Sequence, residues 1–271
     1  MRSLTMIGVL AVALSSSGAA QQRPPERAWN LTLGAGALTI PRYPGSDEYR
    51  VIPFPLVQAS YRDRLYLGPS TTGVGYGLGA YGIRTERLGL AFELGGQFSR
   101  PASEADALAG MDDRDGVGTA GVSLGYRFGS FEGLLAVSQG LNDGAGLIET
   151  TRLVYYGSIG KAFFTAGAGA ALANGKQMRR EFGISDTEAS RRQALIDAGD
   201  DRLDPDDGRA YRPDGGLRHL GAGVTLAYPI NGQWALIGIG GLEWLGDEAA
   251  ASPLVRERVQ LAGGAGLGYR F

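Results

Sequence analysis

The sequence predicts an all-β protein: a single antiparallel transmembrane β-barrel of about 12 strands, with long extracellular loops and short periplasmic turns. Three observations predict it. Hydrophobicity alternates with period two from about residue 28 to the end of the chain. The second face of the alternating segments is mainly Gly, Ala and Ser, not the long charged residues of a water-facing sheet. Glycine is abundant, 45 in 271 residues, without the triplet period of collagen. A barrel in lipid turns its apolar face outward and carries the other face inside.

The N-terminus reads as an export signal. Arg2 precedes the apolar stretch Leu4–Leu14, and small residues Ser15 to Ala20 follow. Cleavage is expected after Ala19 or Ala20, so residues 1–20 are a signal peptide and 21–271 the barrel domain. The stretch is too short for a transmembrane helix, which needs about 20 residues. No later segment has a helix-length apolar run.

Strands are expected at 28–40, 51–61, 64–69, 72–83, 88–98, 117–128, 131–139, 148–159, 161–172, 217–229, 232–245 and 258–271. The last is the clearest. Val259, Leu261, Ala265, Leu267, Tyr269 and Phe271 share one face, and Arg258, Gln260, Ala262, Gly264, Gly266, Gly268 and Arg270 the other. An even number places both chain ends in the periplasm, and the longer connections then fall outside the cell. If Arg64 to Gly82 is one bent strand, the count is eleven and this parity fails. Trp234 and Trp244 share a face, although Ile237 and Ile239 on the other face are apolar too. Ten residues at about 3.3 Å each span roughly 33 Å. Tilt near 40° reduces that to about 25 Å, the height of the apolar band between aromatic girdles. Tyr126, Phe128 and Tyr228 join them as expected lipid-interface residues.

Glu93, Arg127, Arg152, Arg258 and Arg270 fall on the inner face. They either line a pore and tune ion passage or pair inside a plugged barrel. Pairing ranks ahead, because buried charges are normally paired. The longest loop, 173–216, holds eight basic and ten acidic residues and a short helix is expected around Thr187 to Ala198. Asp204-Pro205-Asp206-Asp207-Gly208 lacks the spacing of an EF-hand, so a solvated acidic loop is expected there, not a metal site.

Enzymatic chemistry finds little material. There is no Cys, which excludes disulfides, Cys-ligated metals and a Cys nucleophile. The one His, His219, shares a face with Gly221, Gly223 and Thr225, so it points to the lumen or rim and away from lipid substrates. The Gly73–Gly79 run has no Lys or helix after it and is not a phosphate loop. A net charge of -2 gives no footprint for nucleic acid. No catalytic, cofactor-binding or metal-binding residues are expected.

The C-terminal Gly266-Leu267-Gly268-Tyr269-Arg270-Phe271 resembles the recognition signal of bacterial outer-membrane barrels, carried by Gly266, Tyr269 and Phe271. The resemblance implies docking on the barrel-assembly machinery by strand pairing. Further pieces resemble the MipA/OmpV family: Tyr43-Pro44-Gly45-Ser46-Asp47, Pro53-Phe54-Pro55, Glu181-Phe182-Gly183-Ile184-Ser185 with Ala189, Leu245-Gly246-Asp247-Glu248-Ala249 with Ser252-Pro253-Leu254-Val255, and Tyr269-Arg270-Phe271. Glu181 departs from the family's usual Tyr. The resemblance implies a non-enzymatic protein in the outer membrane of a Gram-negative bacterium, without cofactors. Its implied role is a scaffold joining a lytic transglycosylase to a murein synthase in peptidoglycan assembly. A narrow solute channel and a surface adhesin acting through 173–216 are the alternatives. Outer-membrane lipid and lipopolysaccharide are the expected surroundings. The scaffold role strains against the expected topology, since tight turns offer little of the roughly 800 Å² per partner that stable interfaces bury.

Overall fold

The computed structural model describes residues 28–71, 75–142 and 145–271. The signal peptide and the start of the 72–83 strand lie outside the described residues.

The chain forms one closed antiparallel barrel of 12 strands. They are β1 Trp29–Pro41, β2 Tyr49–Tyr61, β3 Leu65–Pro69, β4 Tyr76–Arg84, β5 Leu88–Gln97, β6 Val117–Phe128, β7 Phe131–Gly140, β8 Leu147–Ile159, β9 Ala162–Ala173, β10 Gly216–Pro229, β11 Trp234–Leu245 and β12 Val259–Arg270. Each pairs with its sequence neighbours, and β12 closes on β1. The segment 64–82 therefore contains two strands, and the count is even.

The alternation sorts side chains as lipid requires. Phe92, Leu94, Val122, Leu124, Leu135, Leu153, Leu236 and Leu261 stand exposed on the outside. Glu93, Ser123, Ser138, Thr165, Thr225 and Gln260 are buried inside. One end of the barrel has tight turns. Arg62 and Asp63 both take positive φ (48° and 53°), as do Gly129 (60°) and Gly160 (58°), the left-handed conformations that match hairpin turns to strand twist. The other end carries the longer connections, including 174–215.

Two seams need special residues. At the closure, Gly34 faces Gly268, Gly36 faces Gly266 and Leu38 faces Gly264. A Cβ at Gly34, Gly36 or Gly264 would run into the carbonyl oxygens of Leu267, Ala265 and Ala37. The β2–β3 seam is short, with only Ala59–Leu67, Ser60–Tyr66 and Tyr61–Leu65 in register. Above it, among the described residues, the edge of β2 has no strand beside it. Tyr76 fills the place: its hydroxyl donates to Pro55 O and accepts from Val57 N, and its ring stacks on Phe54 at 6.2 Å. Pro53 and Pro55 share the edge direction of Val57 and have no N–H to leave unpaired, which suits an unpaired edge in lipid.

The lumen wall is not uniformly small or polar. On β1 and β2 it carries Leu38, Ile40, Ile52 and Phe54, which form an apolar cluster with Leu56, Ile239 and Ala262. Ile237 and Ile239, apolar on the face opposite the tryptophans, belong to this wall.

The long connections fold into a cap. Helix α1, Gly175–Phe182, starts at Asn174, whose side chain accepts from Gln177 N at 3.0 Å. Helix α2, Asp186–Asp197, has a full capping box from Ser185 and Glu188. This is the expected helix, one residue earlier; α1 was not expected. The expectation of a solvated acidic loop is corrected at Asp207, which is 2% exposed because two arginines neutralise it there.

Candidate functional site: a sealed mouth and an open one

Five connections meet over the long-loop end. Tyr43, Leu108, Met111, Ile184, Ala189 and Leu254 form one core. Met178 and Phe182 of α1 form another with Ile148, Ala171, Leu245 and Ala249, residues from the barrel rim and the 246–258 connection. α1 thus lies on the mouth with its apolar side down. The family-like pieces converge here. Tyr43 donates to Leu254 O at 2.8 Å, and Ser252 to Phe182 O at 2.6 Å. Gly45 takes φ +96° with Val255 Cγ2 only 2.6 Å from where its Cβ would stand, so side chains are excluded twice over. Burial pushes the Tyr43 hydroxyl up to about 12, which keeps it a donor.

Buried charge holds the cap together. Arg192, fully buried, donates from Nε to Asp207 O at 2.7 Å and from Nη1 to Ala107 O and Ala109 O at 2.9 Å. The Asp207 carboxylate binds Arg256 and lies 3.5 Å from Arg192. Burial pulls the Arg192 guanidinium down while Asp207 draws it up. Glu188, 1% exposed, accepts from Ser185 N at 2.8 Å and Asp112 N at 3.0 Å and pairs with Arg114 at 2.8 Å. Burial raises its carboxyl, but the hydrogen bonds from Ser185 and Asp112 and the charge of Arg114 outweigh it, and the net shift is down.

Below the cap, Glu181 anchors the seal. It accepts from Arg218 Nε at 2.6 Å and from Gln177 Nε2 at 2.7 Å, while its backbone oxygen takes Arg100 Nη1 at 2.7 Å. Burial pulls the Arg100 guanidinium down to about 10, with neighbouring Arg114 adding to the effect. Gln177, itself fully buried, also meets Gln97 (3.2 Å) and Gly146 N (3.1 Å). The residue that departs from the family pattern is therefore the hub of the seal. A register shift between Leu217 and His219 turns both Arg218 and His219 inward. Arg218 Nη1 donates to His219 Nδ1 at 2.6 Å, a guanidinium having no acceptor. Glu243 Oε1 stands 3.8 Å from the other ring nitrogen.

The five inner-face charges part company. Glu93, 2% exposed, takes Tyr66 Oη at 2.9 Å, Thr71 N at 3.1 Å, Thr71 Oγ1 at 3.0 Å and the Ser70 hydroxyl. Arg152 reaches Thr71 O from β8 at 2.7 Å. Ser70 and Thr71, which follow β3, are thereby held in the lumen between Glu93 of β5 and Arg152 of β8. Arg127 pairs with Glu132 at 2.9 Å and lies 4.9 Å over the Tyr156 ring. Arg270 is exposed at the inner side of the turn end. Arg258 does not face the lumen, which corrects the expectation. It precedes β12, donates to Leu245 O at 2.8 Å, pairs with Asp247 and stacks 3.6 Å over the outward Trp244 ring. Cation–π contact on the rim holds it outside.

Trp234, Tyr126, Phe128 and Tyr228 stand exposed at the turn end, and Trp244 is half-buried at the other. Tyr269 lies against Trp234 (5.0 Å) and Phe271 (4.7 Å). Gly266 sits in the closure seam. Among the described residues no group of three or more His, Asp or Glu side chains is gathered as for a metal.

The turn end is electrostatically different. Arg62, Arg64, Arg84, Arg87, Lys161 and Arg270 are exposed there, and none makes an ion pair among the described residues. Sequence reading missed this contrast, because it depends on which cations find partners.

The profile of the family described as MltA-interacting protein MipA matches residues 33–271. The chain belongs to that family. The match spans all twelve strands but the first residues of β1, together with the cap. No curated protein matches this MipA-family chain. Solved structures resemble it distantly. An outer membrane channel from Pseudomonas putida F1 is 12% identical over 96% of this chain and 100% of its own, with a TM-score of 0.43. The translocator domain of the autotransporter NalP from Neisseria meningitidis is 11% identical over 95% and 91%, with a TM-score of 0.44. An anion-selective porin from Comamonas acidovorans is 11% identical over 90% and 98%, with a TM-score of 0.39.

Proposed function

We propose that this MipA-family chain is a non-enzymatic, non-conducting barrel of the Gram-negative outer membrane that works as a scaffold. The partners are those its family's description implies, a lytic transglycosylase and, with it, a murein synthase. One observation carries the reading: α1 seals one mouth while Glu93 and Arg152 hold Thr71 between them inside the lumen. A cylinder closed twice acts through its surfaces. The even strand count and the position of Trp29 and Arg270 at the same end favour the turn end as periplasmic and the cap as external. The exposed apolar band suits outer-membrane lipid, and the C-terminal Gly266, Tyr269 and Phe271 suit delivery through the barrel-assembly machinery after signal-peptide removal. His219, engaged by Arg218, offers no free base.

Two experiments test this. In planar bilayers the purified barrel is expected to give no conductance steps, and reproducible steps would overturn closure. Crosslinked pull-down from solubilised envelopes is expected to recover both murein enzymes. Recovery of assembly machinery and lipopolysaccharide alone would overturn the scaffold. A second reading, surface adhesion through 173–216, is favoured by α2 standing on the cap with a charged face outward. Unchanged attachment after deletion of 176–212 would end it.

A further inference from the structure

We propose that the turn end is a docking site for an acidic segment of a protein partner, gripped by arginines at the open mouth. That the partner is a protein rests on the scaffold reading; the cation cluster does not.

Arg64, Arg84 and Arg87 stand on neighbouring turns. Tyr81 N donates to Arg64 O at 2.8 Å, and Arg127 N to Arg87 O at 2.7 Å, so the turns are locked side by side. All three guanidinium groups are exposed without an ion pair among the described residues. Asp63 and Glu86 are the only acidic side chains on the two turns, which leaves cations in excess even before Arg62 is counted.

The direction of Arg84 decides between a lipid headgroup and a ligand entering the mouth. Arg84 is in register with Gly89 and its guanidinium lies 4.3 Å over the Tyr81 ring. Tyr81 packs at 5.3 Å on Tyr66, whose hydroxyl reaches Glu93 inside the barrel. Arg84 therefore points within the ring of strands. The outward face at this level carries aromatics such as Trp29, Tyr126 and Phe128. Arg62 leans outward, over Tyr61 at 5.2 Å. A guanidinium held over a ring still has N–H groups to donate, and that fork matches a carboxylate. At the sealed end the arginines already hold carboxylates of this chain; here Arg64, Arg84 and Arg87 hold none among the described residues, and an acidic segment would supply them.

The test uses the full-length chain in nanodiscs of zwitterionic lipid, titrated with a fluorescein-labelled deca-glutamate peptide. Deca-glutamine and nanodiscs of anionic lipid form parallel arms. Deca-glutamate is expected to bind, deca-glutamine not, with affinity falling as salt rises. The triple variant R64E/R84E/R87E is expected to bind about tenfold or more weakly. Arg84→Gln, which leaves the turns intact, should lose several-fold, and Lys176→Glu at the far end nothing. Equal binding of both peptides, or unchanged affinity in the triple variant, would overturn the proposal. So would loss of peptide binding in anionic nanodiscs, which would make the cluster a headgroup site. Conductance steps would sink the closed-barrel reading and leave this result standing, so the two failures are distinguishable.

Discussion

The two ends of the barrel solve the same electrostatic problem in opposite ways. At the capped end Arg50, Arg114, Arg192, Arg218 and Arg256 each hold a carboxylate of this chain. At the turn end Arg62, Arg64, Arg84, Arg87 and Lys161 hold none. Buried charge must be satisfied internally, so the cap is folded and shut. Exposed charge has water as its partner, so the turns remain free to bind. The difference teaches where to look for function: at the end whose groups are left unpaired.

The comparison breaks first at Arg192. Its guanidinium serves three backbone carbonyls and Asp207, so Arg192→Met should remove about 3–5 kcal/mol from cap stability. Limited proteolysis should then cut 174–215 rapidly, while heat-modifiable gel migration reports an intact barrel. Loss of the barrel itself would show that the two ends are not independent. Tyr43→Phe is milder. It strands the buried Leu254 carbonyl at a cost of about 1–3 kcal/mol, again read by proteolysis of the cap.

Acid sharpens the contrast. The Glu188 carboxyl lies below its ordinary value in the folded cap, so its contribution is present above the unfolded pKa. It is lost as pH falls through the folded one. Proteolytic protection of the cap should decline in that acidic window, and Glu188→Gln should flatten the decline. An unchanged profile in Glu188→Gln would remove this carboxylate from the seal. The smallest effect is expected at the other end. Arg64→Gln and Arg87→Gln should leave thermal stability within about 0.5 kcal/mol, because neither side chain is engaged. A larger loss in melting experiments would mean the turn cations are structural after all.

Most of the barrel was legible because lipid outside and small residues inside write a period-two pattern whose second face lacks the long charged residues of a water-facing sheet. It failed locally where the inside is apolar as well. Leu38, Ile40, Ile52 and Phe54 pack against one another in the lumen, and sequence alternation does not distinguish that from a lipid face. Helix α1 was missed because Lys176, Arg179, Arg180 and Glu181 dominate it. Its signals were Asn174 at the N-cap and Met178 with Phe182 four residues on, one face of a helix. The short family-like pieces were visible singly. Their meeting was not, since Tyr43 and Leu254 touch across 211 residues of chain. Arg258 obeyed the alternation on paper and broke it in space, because a tryptophan ring at the rim outcompeted the lumen.

The chain has no cysteine, so single thiols can report access to the lumen from each end. Ser138→Cys lies under the cap, where the serine is 2% exposed, and Ser158→Cys lies exposed at the turn mouth. With a small polar maleimide in nanodiscs, Ser158→Cys should react near the rate of a free thiol and Ser138→Cys far more slowly. Adding Arg192→Met should accelerate only the second. Equal rates in the unmodified background would contradict a barrel sealed at one end and open at the other.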